Sequence, residues 1–212
     1  MTVKYVELPN SGYLLLKVPD HVLKEIWKEV EELINVNFVG AEPYNANLAG
    51  ALEHEYVLSK CGNKINSYIE LVAPLFWSYQ NDDRKNKRHY LKNNDNGSLD
   101  LWVNLQKKYE HNPPHTHGGD LSFVIWLKVP YDIEKEKSLP NLAKATSSSA
   151  GGFYFIYPCL SEKGGVGYHY ISVDKSIEGH MVIFKSDLQH AVFPFYTSDE
   201  YRISVSGNVG VS

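Results

Sequence analysis

His115 and His117 stand two residues apart in Asn112-Pro-Pro-His-Thr-His-Gly-Gly-Asp120, directly ahead of the strand-like run 121–129. Side chains on an extended segment alternate with a period of two, so both imidazoles face one side and can reach a common point. That is metal-ligand spacing. Asp120 comes three residues after His117 and would ordinarily face elsewhere, but Gly118 and Gly119 permit a bulge or tight turn that would swing its carboxylate back. Far downstream His190 opens another strand-like segment, and closure of a sheet would set it beside the pair. Two ligands from one strand and a third from a late strand leave open positions on a metal, which oxygen-activating iron requires.

A second group of residues suits an organic anion. Arg202, Ser204 and Ser206 share one face of the segment 201–206, with Ile203 and Val205 on the other. A guanidinium binds a carboxylate through two hydrogen bonds, and the hydroxyls would complete such a pocket. Trp102, Asn104 and Gln106 likewise share a face opposite Leu101, Val103 and Leu105. Alternation leaves open which of the two faces is the inner one.

These residues need elements to carry them. Two short alternating apolar runs, 3–8 and 13–18, separated by Pro9-Asn-Ser-Gly12, read as a hairpin or two edge strands. From Asp20, a plausible N-cap, the period becomes helical through Val22, Leu23, Ile26, Trp27, Val30, Leu33 and Ile34. A weaker helix is expected over about 48–59, and a third from about Lys64 to Tyr79, kinked or interrupted at Pro74. Residues 80–98 are polar and asparagine-rich, a connector between helical layer and sheet. Beyond it the runs 99–105, 121–129, 152–157, 168–173, 180–184, 191–195 and 201–205 read as strands of an antiparallel sandwich or barrel. The segment 131–150 lacks an apolar period and reads as a mobile surface loop, a candidate lid. The whole is expected to form one domain over 1–212, with supporting strands and helices in 1–80, the connector in 81–98 and a metal-bearing β core in 99–212.

Composition narrows the function classes. The chain has 212 residues and a formal charge of −4, which argues against a sequence-independent grip on nucleic acid or an anionic membrane. Arg84-Lys-Asn-Lys-Arg88 is the local exception and reads as a solvated loop. No stretch approaches the roughly 20 apolar residues of a membrane span, and the N-terminus lacks a signal-peptide core. A cytoplasmic location is therefore expected, the host cytoplasm if the gene is phage-borne. Cys61 and Cys159 are too few for a disulfide framework, and Asn96-Gly-Ser98 is simply a turn.

Taken together, Asn112-Pro-Pro-His-Thr-His-Gly-Gly-Asp-Leu-Ser-Phe-Val-Ile-Trp-Leu127, His190 and Arg202-Ile-Ser204 resemble the iron- and 2-oxoglutarate-dependent oxygenases. The likeness is to the small prolyl-hydroxylase-like group found in bacteria and their phages, and it spans roughly 99–208. It implies a mainly β fold, a double-stranded β-helix (jelly roll) buttressed by two or three N-terminal helices. It also implies Fe(II), 2-oxoglutarate and O2 as co-reactants, and hydroxylation of a peptide-like, possible prolyl, or small-molecule substrate. By the same resemblance His190 is the distal metal ligand, and Arg202 with Ser204 clamps the far carboxylate of 2-oxoglutarate; Asn104, on the polar face of its own segment, is a further candidate for cosubstrate binding. The family's usual proximal pair is His-x-Asp/Glu, from which His115-Thr-His117 departs. Either three histidines hold the iron, or Asp120 enters through the glycine turn, or all four surround the metal as in the cupins. A cupin-like binding domain without 2-oxoglutarate turnover is accordingly the alternative reading.

The remaining histidines, His21, His54, His89, His169 and His180, read as structural, and His111 as rim. Trp102 and Trp126 read as core. Tyr154 and Tyr157 alternate with Phe153 and Phe155 and could place hydroxyls in a pocket. Lys163-Gly-Gly-Val-Gly167 lacks the lysine and hydroxyl of a phosphate loop, and Ser186 has no nucleophile elbow around it.

Overall fold

In the computed structural model the described residues are 3–6, 12–145, 149–159 and 164–212. In chain order they form β1 (Val3–Val6), β2 (Tyr13–Lys17), α1 (Asp20–Asn35), β3 (Glu55–Val57), α2 (Gly62–Tyr79), β4 (His89–Leu91), β5 (Leu101–Gln106) and β6 (Asn112–His115). There follow β7 (Leu121–Lys128), α3 (Ile133–Lys137), β8 (Phe153–Pro158), β9 (Val166–Ile171), β10 (His180–Lys185), β11 (His190–Val192) and β12 (Arg202–Val211). Two antiparallel sheets result. The larger has the order β1-β2-β10-β7-β12-β5-β3, with β4 also paired to β12, and the smaller the order β6-β11-β8-β9. This is the mainly β jelly roll with supporting helices that the sequence pattern and the resemblance implied. No described helix is long and apolar enough to cross a membrane.

Alternation along the strands divides the apolar residues between two cores. Leu101, Val103, Leu105, Ile125, Ile203 and Val205 face the helices and pack with Ile26, Val30, Ile65, Ile69, Val72 and Phe76. Val124, Trp126, Phe153, Phe155, Val182 and Phe184 fill the space between the two sheets. The polar faces of β5 and β12 are thereby turned away from the helices.

On α1 the buried positions Val22, Ile26 and Val30 recur every fourth residue, and Glu29 is buried beside them. Its carboxylate accepts the backbone N–H groups of Ser59 (2.8 Å), Lys60 (3.0 Å) and Cys61 (2.8 Å), just ahead of α2. Because Cys61 offers no side-chain cap of its own, α1 caps α2 through this one residue. Glu29→Ala would strand three donors near the helix start, and urea unfolding is expected to show a loss of about 2 kcal/mol.

Several expectations need correction. Residues 48–59 are not helical: a 3-10 turn covers Asn45–Asn47, and β3 pairs with β5 through Tyr56 and Val103. Leu48 and Leu52 have helical spacing, yet the backbone N–H groups of Leu48 and Ala51 bond to Asn45 and His111 instead. The helix α2 continues through Pro74, carried by burial of Val72, Ala73, Phe76 and Trp77 on either side. The connector is not wholly irregular, since β4 adds to β12 through Leu91 and Val209. Within 131–150, α3 is capped by Asp132, and its buried Glu136 accepts the N–H groups of Tyr196 and Thr197, each at 2.8 Å. The start of that segment is tied down; its residues 146–148 lie outside the described residues. So do Pro9, Asn10 and Ser11 of the expected turn, although β1 and β2 pair as a hairpin requires. Lys163 lies outside them as well.

Candidate metal centre

The smaller sheet brings the histidines together. His115 ends β6, His190 begins β11, and the two are direct cross-strand partners with ring centroids 4.2 Å apart. His117 lies just beyond β6, where its N–H donates to Ser186 O (2.9 Å), and its ring is 4.8 Å from that of His115 and 5.1 Å from that of His190. One ring nitrogen from each lies within 4.8 Å of the other two, the group among the described residues that could hold a metal ion.

Neighbouring carbonyls set the ring orientation. Nδ1 of His115 is 2.7 Å from Pro113 O, and Nδ1 of His190 is 3.0 Å from Leu188 O. A carbonyl only accepts, so Nδ1 carries the proton in both rings and Nε2 keeps its lone pair for a ligand. Burial favours the neutral form in all three. It pushes His117 down to about 3, with the charge of His115 adding to the effect, and lowers His115 against the opposing hydrogen bond to Pro113. His190 falls well below the usual range because it is buried, with its two neighbours adding to the shift. Three neutral imidazoles, two from adjoining strands and one from the segment just beyond β6, are a donor set suited to a divalent first-row metal.

Asp120 does not join them. Gly119 has φ +101°, and the turn it makes brings β7 into register with β12, Leu121 opposite Val209. Asp120 N–H is thereby committed to Val209 O (2.9 Å), and its Oδ2 accepts Val211 N–H (3.0 Å). Its Oδ1 lies 3.7 Å from Nη1 of Arg84. The glycine turn thus sends the carboxylate to the end of β12 rather than to the imidazoles, and the expectation of an Asp120 ligand is corrected. A Cβ at Gly119 would lie 3.0 Å from Val209 O, so the turn also depends on the missing side chain. Asp120→Ala is expected to leave Mn(II) affinity within about twofold of wild type by titration calorimetry and to cost about 1 kcal/mol of stability.

A pocket adjoins the imidazoles, and the polar faces of β5 and β12 line it: Asn104, Gln106, Arg202, Ser204 and Ser206. Asn104 and Ser204 are cross-strand partners, and Asn104 Nδ2 donates to Ser204 Oγ and Ser206 Oγ, each at 3.3 Å. Its Oδ1 accepts from Trp102 Nε1 at 3.1 Å, which fixes the amide orientation. Arg202 is 2% exposed. It donates to Gln106 Oε1, Tyr131 OH, Gly151 O and Phe193 O. Trp102 and Trp126 are core residues whose faces also line the pocket, together with Phe153 and Phe184.

Other candidates lie elsewhere. Tyr154 packs on Tyr170 and Phe193, and Tyr157 fills the space beside Gly167, so neither lines the pocket. His111 forms a bridge with Ala51. Arg84, the first cation of the basic run, is already engaged: it is paired with Asp82 (2.7 Å) and stacks on Trp77. What sequence reasoning missed is the set of acceptors around Arg202. Gln106 already stood on the right face of β5, whereas Tyr131 follows β7 in a segment without any period.

Comparison with known proteins bears on the same strands. Residues 100–208 match the family described as "Putative 2OG-Fe(II) oxygenase". Among solved structures, a prolyl-4-hydroxylase of Pseudomonas putida matches with a TM-score of 0.54 at 13% identity, over 93% of this chain and 92% of that one. An oxidoreductase of the 2OG-Fe(II) oxygenase family from Burkholderia pseudomallei matches with a TM-score of 0.41 at 9% identity, over 99% of this chain and 73% of the other. No curated protein matches. At 13% identity the likeness to the Pseudomonas putida protein speaks for the fold alone.

Proposed function

The chain belongs to the 2OG-Fe(II) oxygenase family, and on that premise we propose that it is an iron(II)- and 2-oxoglutarate-dependent dioxygenase hydroxylating a peptide-like, prolyl included, or small-molecule substrate. One observation carries this reading: a single pocket is lined both by the three convergent imidazoles and by a buried arginine with serine and asparagine beside it. His115, His117 and His190 are the metal ligands in this proposal, and Arg202, Ser204 and Asn104 receive the far carboxylate of 2-oxoglutarate. Iron(II) held by the histidines would supply the oxygen-activating chemistry, with 2-oxoglutarate and O2 consumed to give succinate, CO2 and a hydroxylated product.

The protein's own contribution is positional. Pro113 O and Leu188 O hold two imidazole rings in the ligating tautomer. Phe153, Phe184 and Trp126 give the pocket an apolar wall that keeps water from the reacting centre. Asn104 Nδ2 donates to Ser204 Oγ, which ties the two side chains together on the face of β5 and β12 that lines the pocket.

Succinate release tests the proposal. Purified protein loaded with Fe(II) is expected to convert 2-oxoglutarate to succinate in air and to do so faster with a substrate drawn from proline-containing peptides. Protein that neither binds 2-oxoglutarate nor turns it over would sink this reading. A second reading, a cupin-like metal-binding domain with no such turnover, draws on the acceptors that already surround Arg202. It predicts tight metal binding and no heat of 2-oxoglutarate binding.

A further inference from the structure

Guanidinium has five N–H donors, and every one on Arg202 already has an acceptor. Nε and one N–H of Nη2 both point at Gln106 Oε1, at 3.1 and 2.5 Å. Nη1 donates to Tyr131 OH (2.8 Å) and Gly151 O (2.7 Å), and Nη2 also to Phe193 O (3.1 Å). A single amide oxygen thus occupies the Nε–Nη2 edge, the edge on which a carboxylate docks side-on with two hydrogen bonds.

The other acceptors are fixed in place. Phe193 and Gly151 are held by backbone bonds to Gly152 O (2.9 Å) and Pro194 O (2.8 Å). Tyr131 donates to Gly151 O (3.0 Å) and stacks on Phe195. Gln106 is the one acceptor among them carried on an unbranched, rotatable side chain, and unlike Tyr131, Gly151 and Phe193 it lines the pocket with Arg202. Its Nε2 donates to Glu110 O (2.5 Å) in the loop after β5, a second contact that turning the side chain out has to break.

We propose that Gln106 is a displaceable stand-in for the cosubstrate, its amide oxygen holding the guanidinium edge until the far carboxylate of 2-oxoglutarate takes that edge and turns the side chain out. The inference rests on the oxygenase reading above. Its consequence is selectivity. A buried guanidinium left unpaired is costly, so the protein keeps it paired with a neutral amide when no anion is bound. Only a ligand whose charge-assisted, two-point contact outcompetes that amide gains entry, which favours dicarboxylates over neutral or singly contacting molecules. Departure of the product reverses the exchange, because Gln106 can return to the edge as succinate leaves.

Titration calorimetry with 2-oxoglutarate on Mn(II)-loaded protein tests this in wild type, Gln106→Met and Gln106→Glu. Methionine matches glutamine in length without its acceptor, so binding no longer has to break the Gln106–Arg202 contact. Affinity for 2-oxoglutarate is expected to rise about fivefold, the equivalent of one net hydrogen bond, and the ligand-induced rise in Tm is expected to exceed that of wild type. Glutamate places a tethered carboxylate on the same edge and is expected to weaken 2-oxoglutarate at least about tenfold with Mn(II) affinity unchanged. Unchanged or weaker binding in Gln106→Met would overturn the displacement while leaving the oxygenase reading intact. If that variant does not fold, unchanged 2-oxoglutarate affinity in Gln106→Glu overturns it equally. Wild-type protein that binds Mn(II) but not 2-oxoglutarate removes both.

Discussion

His190→Ala is expected to abolish succinate release and to lower Mn(II) or Fe(II) affinity at least about a hundredfold, measured by anaerobic titration and by elemental analysis of protein purified with added metal. Of the three imidazoles His190 is the most deeply held. It is 4% exposed, lies against the Phe153 ring with centroids 5.5 Å apart, and meets the Phe184 ring edge-on at 4.9 Å. These rings and Leu188 O leave it little freedom, so it defines the point at which His115 and His117 converge. Alanine removes a ligand and also the cross-strand partner that faces His115. Because the histidine is held neutral by burial, the substitution discards no buried charge, and the fold should persist with unchanged far-UV circular dichroism. His190→Gln, of similar volume, separates the roles: it should keep stability near wild type and still lose metal. Retention of wild-type metal affinity in both variants would remove the three-histidine centre. Chelation of wild-type protein should mimic the alanine variant, and readdition of Fe(II) should restore turnover to wild type alone.

Much of this arrangement was legible from periodicity. Alternation over 101–106 and 201–206 identified two strands with a polar and an apolar face, and β5 and β12 are indeed cross-strand partners. Which face was inner could not be read, because both faces are enclosed, one by helices and one by the smaller sheet. His115 and His117 followed from a spacing rule that holds on any extended segment. His190 needed a sheet to bring it near, and the pairing of β11 with β6 does so. Asp120 was ambiguous for a physical reason: two glycines allow a turn in more than one direction, and its direction is set by the distant Val209 and Val211. The segment 48–59 misled because Leu48 and Leu52 satisfy helical spacing while their actual role is to line the pocket. β4 escaped notice because three residues paired to a long strand carry no period of their own. Glu29 was invisible for a similar reason, since its acceptor role depends on the residues just ahead of α2, about thirty positions away in sequence.

Arg202→Ala is expected to eliminate 2-oxoglutarate binding by calorimetry and to destabilise the protein by about 3–5 kcal/mol in urea unfolding. Both effects come from one set of contacts. The guanidinium is 2% exposed and joins β12 to β5 through Gln106, to the segment after β7 through Tyr131, and to the chain flanking β8 and β11 through Gly151 and Phe193. Alanine leaves several acceptors in a site that water reaches poorly, and each such orphan costs about 1–3 kcal/mol. Relaxation and any water that enters the space will offset part of the sum, which is why the expected total lies well below simple addition. Arg202→Lys tests geometry apart from charge. An ammonium retains the positive charge but is a point donor on a flexible stem, unable to hold Gln106, Tyr131 and two carbonyls in their present directions. Lysine should therefore recover some stability and little of the 2-oxoglutarate affinity. The cycle formed by Arg202→Ala, Gln106→Met and the double variant isolates the contact between them. Without the guanidinium, Gln106 has no edge to occupy, so Gln106→Met should cost less stability in the Arg202→Ala background than in wild type. Additive costs would show that the two side chains act independently, and the carboxylate-binding role assigned to Arg202 would then rest on the arginine alone.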